Sequence, residues 1–189
     1  MEKFKSQAVK LLQCEASSNA LLSMARVQHF DKNRIYCLDR DRCQQWCYVL
    51  DGLVGALHYY ENHPPYMHWV ILPGQSFTGT KHEYSDSSHL LDICFLKDTR
   101  LVTIQRSILL QLMEDHPPVM RLINILRQRR FTITDLKLRV MSHPPTERYR
   151  EALQHLPAIP ASLNNKQLAQ YLNIDPKTLY RSRRQELGR

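Results

Sequence analysis

SLNNKQLAQYLNIDPKTLYRSRRQELGR, residues 162–189, reads as two short helices about a tight turn. Asn164 can cap the first helix, with Gln167 three residues on as the reciprocal partner. Leu168, Ala169 and Leu172 take the inward positions, and the small Ala169 lets a second helix cross close by. Asn173 follows, one of the few residues other than glycine that tolerate the left-handed turn at a helix end. Ile174 plugs the corner. Asp175 caps the next helix, Pro176 sits in its first turn, and Leu179 points inward. Lys177, Thr178, Arg181 and Arg184 then share one outward face. Basic and hydroxyl side chains on the first turns of a second helix are what major-groove reading needs. A helical hairpin of some other domain is the competing reading; caps, corner and basic face together favour a helix-turn-helix.

Charge points the same way. The net charge of +8 is uneven: residues 121–189 hold 14 Lys and Arg against 5 Asp and Glu, while residues 1–120 hold 12 against 13. A near-neutral front and a basic back suggest that the back meets a polyanion, although a solvated basic helix face gives the same composition. Hydrophobic content of 43% supports a folded core and excludes a disordered chain. No apolar run approaches the ~20 residues that span a bilayer. MEKFKSQAVKLLQC at the start is not a signal peptide, so no membrane role and a cytoplasmic location are expected. Five cysteines (14, 37, 43, 47 and 94) at irregular spacing are expected to be reduced thiols.

Upstream, residues 3–28 look helical, broken at Ser17-Ser18-Asn19. From about Phe30 to Ile104 short apolar runs recur between turn residues: RIYCL, QQWCYVL, LVGALHYY, MHWVILP, LLDICFL and RLVTIQ. That is the spacing of an antiparallel sandwich or barrel. Four of the five glycines fall in this block, and Asp51-Gly52 and Pro73-Gly74 are turn pairs. Ser107 can cap a short helix. Pro117-Pro118 then opens a helix that Pro144-Pro145 closes, roughly 25 residues or about 37 Å long. Val119, Leu126, Ile133 and Val140 recur every seven residues, with Leu122, Arg129, Leu136 and His143 as the companion series. The pattern fits a dimer seam through Val119, Leu122, Leu126, Ile133, Leu136 and Val140, with Arg129 as a defect. It also fits a helix packed on its own domain. Residues 146–156 form another short helix, and Pro157 and Pro160 bracket a linker.

The ordered set of features resembles the Crp/Fnr family of bacterial regulators over about residues 20–188. The resemblance rests on YVLDGLVGAL at 48–57, LPGQSF at 72–77, the long helix, ERY at 147–149 and LAQYLNIDPKTLYRSRR at 168–184. It is nearest to the short Bacteroidetes-type members, with no β-hairpin wing expected in the Gln185–Arg189 tail. The resemblance implies an α+β chain: an N-terminal antiparallel β jelly roll of the cyclic-nucleotide-binding type, a dimerisation helix and an all-α helix-turn-helix domain. The expected boundaries are 1–116, 117–143 and 144–189. It implies a homodimeric, sequence-specific transcription regulator, not an enzyme, with double-stranded DNA and RNA polymerase as partners. Arg181 matches the family's guanine-reading arginine. Lys177 and Thr178 lie on the same face, and Asn164, Asn165, Lys166, Arg183 and Arg184 are placed for phosphates.

In relatives that bind cyclic nucleotide, a Glu holds the ribose and an Arg-Ser pair holds the phosphate. Here Thr80 takes the Glu position and His89-Leu90 the Arg-Ser position, in a pocket that would include Phe77. A neutral His and a Leu replace a guanidinium and a hydroxyl poorly, so cyclic AMP and GMP are not expected as effectors. Any small-molecule effector is a different one. The cysteine spacing C-x5-C-x3-C fits no zinc pattern, and histidines 58, 63, 68, 82 and 89 show no ligand spacing. No metal and no cofactor are expected. The alternative to a DNA-binding regulator is a small-molecule or redox sensor that acts through protein partners, its helix-turn-helix vestigial. Effector, operator and the sign of regulation are not written in the sequence.

Overall fold

The structure, a computed structural model, describes residues 1–188; Arg189, the end of the tail expected to lack a wing, lies outside them. Two helices, α1 (Glu2–Leu12) and α2 (Glu15–Met24), precede eight strands. These are β1 (Arg26–Phe30), β2 (Ile35–Cys37), β3 (Cys43–Asp51), β4 (Val54–His58), β5 (Tyr66–Ile71), β6 (Ser76–Gly79), β7 (Asp92–Phe95) and β8 (Thr99–Gln105). Six helices follow: α3 (Arg106–Asp115), α4 (Pro117–Met141), α5 (Arg148–His155), α6 (Ala158–Ser162), α7 (Asn165–Leu172) and α8 (Pro176–Leu187). The strands form two four-stranded sheets, in the orders β1-β8-β3-β6 and β2-β7-β4-β5. β8 runs antiparallel to both β1 and β3, β3 to β6, and β2 to β7.

The chain divides into two compact units, residues 1–55 with 71–130 and residues 56–70 with 131–189. In the first, β3 explains why its apolar run is continuous. Trp46, Tyr48 and Leu50 point to one face and join Phe4, Leu12, Leu21, Leu109, Val119, Leu122, Ile123 and Leu126 in a single core. Cys47 and Val49 take the opposite face and are equally buried. A strand covered on both faces loses its polar alternation. Gly52 turns the chain between β3 and β4 at φ +89, and a Cβ there would lie 2.3 Å from Thr99 Oγ1, so only glycine fits.

The structure corrects several local expectations. The first helix ends at Gln13, which takes the left-handed conformation (φ 51). Ser17 and Ser18 lie inside α2, where the Ser18 hydroxyl donates to the Cys14 carbonyl at 2.8 Å. Arg26–Phe30 is strand, because it has an antiparallel partner in β8 that lies far along the chain. Ser76–Gly79, which lies outside the apolar runs read as strands, is strand β6 paired with β3. The third helix starts after Gln105 with no side-chain cap, so Ser107 does not cap it. The linker bracketed by Pro157 and Pro160 is the short helix α6, with Pro157 as its N-cap residue and Pro160 in its first turn. The second unit holds residues 56–70 of the β4–β5 region, the end of α4 and α5 to α8. No helix among the described residues is long and apolar enough to cross a membrane.

Candidate nucleic-acid interface

Local chemistry forms the two-helix element as the sequence suggests. The Asn164 side chain accepts from the Gln167 amide at 2.9 Å, and the Gln167 side chain accepts from the Asn164 amide at 3.1 Å. That reciprocal pair satisfies two amides at the start of α7. Asn173 ends the helix in the left-handed region (φ 49, ψ 56). Asp175 caps α8 by accepting from the Lys177 amide at 2.7 Å, with Pro176 at the first position. Leu168, Ala169, Tyr171, Leu172, Ile174 and Leu179 are buried between the helices and their neighbours.

The expected contact residues divide into two groups. Asn164, Lys166, Lys177, Arg181 and Arg184 are exposed, and Thr178 is half-buried. Arg183 and Asn165 are instead bonded to each other, and the Arg183 guanidinium lies 5.7 Å from the centre of the Tyr149 ring. These two tie α8 to α7 and α5. Tyr180 was not singled out from the sequence. It is 67% exposed and lies three residues after Lys177 and four before Arg184. Its place on the basic face was readable from that spacing.

Three further residues position the element, and all escape a reading by spacing. Arg148, from the ERY stretch, donates to the carbonyls of Leu172 (3.1 Å), Asn173 (2.9 Å) and His143 (3.0 Å). A guanidinium at the C-terminus of α7 satisfies orphan carbonyls and meets the negative end of the helix dipole. Ser182 adds a bond from α8 to the Thr146 carbonyl at 3.0 Å. Lys137 is 5% exposed. Its Nζ donates to the carbonyls of Met67 (2.6 Å) and His68 (2.8 Å) and lies over the rings of Tyr66 (4.5 Å) and Tyr171 (4.1 Å). Burial pulls its ammonium down to about 7, while the carbonyls and ring faces favour the cation.

The residues expected to line an effector pocket are spent on the protein itself. Phe77 is buried against Tyr36, edge to face at 5.7 Å. Thr80 is fully buried, bridges to Ser88 and donates to the His82 carbonyl at 2.9 Å. The His89 Nε2 lies 3.2 Å from the Thr78 carbonyl, and Leu90 is exposed at φ 57. The loop carrying them is tied down by Arg106, which bonds Asp86, the Glu83 carbonyl and Gln44. Arg127 of α4 pairs with the buried Glu83 carboxylate.

The residues expected to form a seam along α4 differ in exposure. Val119, Leu122 and Leu126 lie in the core of the first unit, so they are not free to meet a second chain. Val140 is buried, and Ile133 and Leu136 are half-buried. The exposed apolar side chains of this stretch are Phe131 (53%) and Leu138 (64%), one heptad apart, with the smaller exposure of Met120 upstream. The heptad spacing was legible, but it occurs in more than one series, and burial selects between them.

No family profile and no curated protein matches this chain. Solved structures do match by shape. FixK2 from Bradyrhizobium japonicum superposes with a TM-score of 0.71 at 16% identity, covering 85% of this chain and 83% of that one. CLP from Xanthomonas campestris, a c-di-GMP responsive global regulator, gives 0.72 at 14% identity over 93% and 92%. The Thermus thermophilus Catabolite Activator Protein gives 0.55 at 20% identity over 89% and 81%. The chain has their fold. A transcriptional regulator of the crp/fnr family from Eubacterium rectale gives 0.64 at 18% identity over 90% and 82%, and at such identities the likeness is one of architecture.

Proposed function

We propose that this chain is a sequence-specific DNA-binding transcription regulator of the Crp/Fnr type, not an enzyme, acting in the cytoplasm as a homodimer. The observation that carries the reading is the exposed face of Lys177, Tyr180, Arg181 and Arg184 on a helix entered through a capped three-residue turn. Arg181 lies one turn into α8, where its planar fork can take O6 and N7 of a guanine together. Lys166, Lys177 and Arg184 supply phosphate contacts, which position without specifying. The strand orders β1-β8-β3-β6 and β2-β7-β4-β5 support the reading of a jelly roll of the cyclic-nucleotide-binding type. Thr80 and His89 already bond the protein's own backbone, which supports an effector other than cyclic AMP or GMP. The dimer seam runs along α4 through Phe131 and Leu138, whose burial would be worth roughly 1.5–3 kcal/mol each.

Fluorescence anisotropy with DNA from upstream of the chain's own reading frame tests the reading. Arg181→Ala should cost roughly 1–3 kcal/mol on the cognate site and flatten sequence preference. Arg184→Ala should weaken binding to all sequences alike and lower the salt slope by about one unit. An unchanged ratio of specific to random-DNA affinity in Arg181→Ala would show that another residue reads the base. Failure of the wild-type protein to bind any DNA at low salt would refute the function itself.

A further inference from the structure

The first unit holds a cluster of sulfur that DNA binding does not use. Cys37 ends β2 and Cys43 begins β3, so the two strands that carry them belong to different sheets. The Cys43 thiol donates to the carbonyl of Tyr36, the residue before Cys37, at 3.5 Å, which sets the two side chains side by side. Both converge on Gly79 of β6. The Cys37 thiol lies 4.0 Å from the Gly79 carbonyl, and Cys43 is the register partner of Gly79. A Cβ at Gly79 would lie 2.2 Å from the Cys43 Cβ, so the absence of a side chain there is what lets Cys43 sit this deep. Cys37 is 2% exposed, whereas Cys43 is only half-buried and gives the pair its route to solvent.

We propose that Cys37 and Cys43 are a reactive dithiol that hydroperoxides convert to an intrachain disulfide joining the two sheets. The proposal does not rest on DNA binding. The neighbouring thiols differ in acidity: Cys43 holds Cys37 below the usual thiol range, and Cys43 itself is pushed up. The thiolate of the pair attacks the terminal oxygen of the hydroperoxide. The O–O bond breaks, a sulfenic acid forms, and the alkoxide or hydroxide released takes the proton that the thiol gave up. The second thiol then attacks the sulfenic sulfur. An S–S bond forms, the S–O bond breaks, and water leaves with the second proton. In sum two thiols are oxidised by two electrons and one hydroperoxide is reduced to an alcohol, or to water, plus a second water.

Closing the pair to the ~2.05 Å of a disulfide needs a local backbone adjustment, which an irregular ladder resists less than a regular one. Both ladders are already irregular at this place: the β2–β7 register shifts between Ile35 and Cys37, and the β3–β6 register between Cys43 and Trp46. The remaining cysteines are worse placed. Cys47 is fully buried, 3.2 Å from the Tyr36 hydroxyl, and burial pushes its thiol up to about 12. Burial holds Cys94 at about 11. Cys14 is an isolated thiol beside Ser17.

The full-length protein, treated with increasing hydrogen peroxide, alkylated and digested with trypsin, provides the test. Residues 35–40, which contain Cys37, should become joined to the peptide that begins at Cys43, with loss of two hydrogen masses and reversal by dithiothreitol. The Cys47→Ser variant should keep this link. Cys37→Ser and Cys43→Ser should lose it and hold a sulfenic acid, trapped by dimedone, on the cysteine that remains. Cys37 and Cys43 should be consumed together, at least about tenfold faster than Cys94. Three outcomes overturn the proposal: a link from Cys37 to Cys47, a link between chains, or Cys37 still open to alkylation after denaturation when Cys14 is already oxidised. Because the peptide that begins at Cys43 also carries Cys47, fragment-ion sequencing of the wild-type linked peptide locates the bond, even where a serine variant fails to fold.

Discussion

Lys137→Met isolates the cost of burying a charge behind the two-helix element. Methionine keeps the length of the stem between the Tyr66 and Tyr171 rings and removes the ammonium. In the folded chain burial lowers the Lys137 pKa from 10.5 to about 7. Between those values the unfolded chain binds a proton that the folded chain does not. Stability therefore rises with pH across this window, and below it the group is charged in both states and the burial cost is present in full. At about 1.4 kcal/mol per pH unit, the wild type should gain roughly 2–3 kcal/mol from pH 7 to pH 9 relative to Lys137→Met. A pH-independent offset accompanies it, because the carbonyls of Met67 and His68 lose a donor, at roughly 1–3 kcal/mol for each one left unsatisfied. Guanidinium unfolding of both proteins, followed by far-ultraviolet circular dichroism at half-unit pH steps, reads the difference directly. Groups common to both chains cancel. If the two stability curves run parallel from pH 6.5 to 9.5, the carbonyls and ring faces outweigh desolvation and the argument is wrong.

Three other changes test neighbouring parts of the structure. Arg148→Ala should destabilise by roughly 2–3 kcal/mol in the same unfolding assay, since carbonyls at the end of α7 lose a charged donor. An unchanged midpoint would show that solvent replaces it. Phe131→Asp with Leu138→Asp should give folded monomers by light scattering, because both side chains are exposed within one chain; a persistent dimer would place the seam elsewhere. Leu126→Asp should instead unfold the first unit, at a cost of roughly 3 kcal/mol or more, because it puts a charge into a core already filled. Unchanged circular dichroism and stability in that variant would contradict the core assignment.

The sequence by itself determined whatever acts over three or four residues. Asn164 and Gln167 satisfy each other's amides, Asn173 adopts a left-handed turn, and Asp175 with Pro176 starts a helix, because each device involves only its own backbone neighbourhood. Two double prolines bounded α4 for the same reason: a ring without an N–H ends or opens a helix wherever it stands. Tertiary structure decided what depends on residues far apart. Arg26–Phe30 is a strand only because β8 lies beside it, 69 to 77 positions along. Val119, Leu122 and Leu126 carry the heptad spacing of a seam, yet spacing states only that a face is apolar, and packing decides which surface covers it. Arg183 turned inward to Asn165 across eighteen positions, and Lys137 to Met67 across seventy. The cysteines show the same division most sharply. C-x5-C-x3-C has no local meaning, and it took two sheets and a side-chain-free Gly79 to bring two of those thiols to one place.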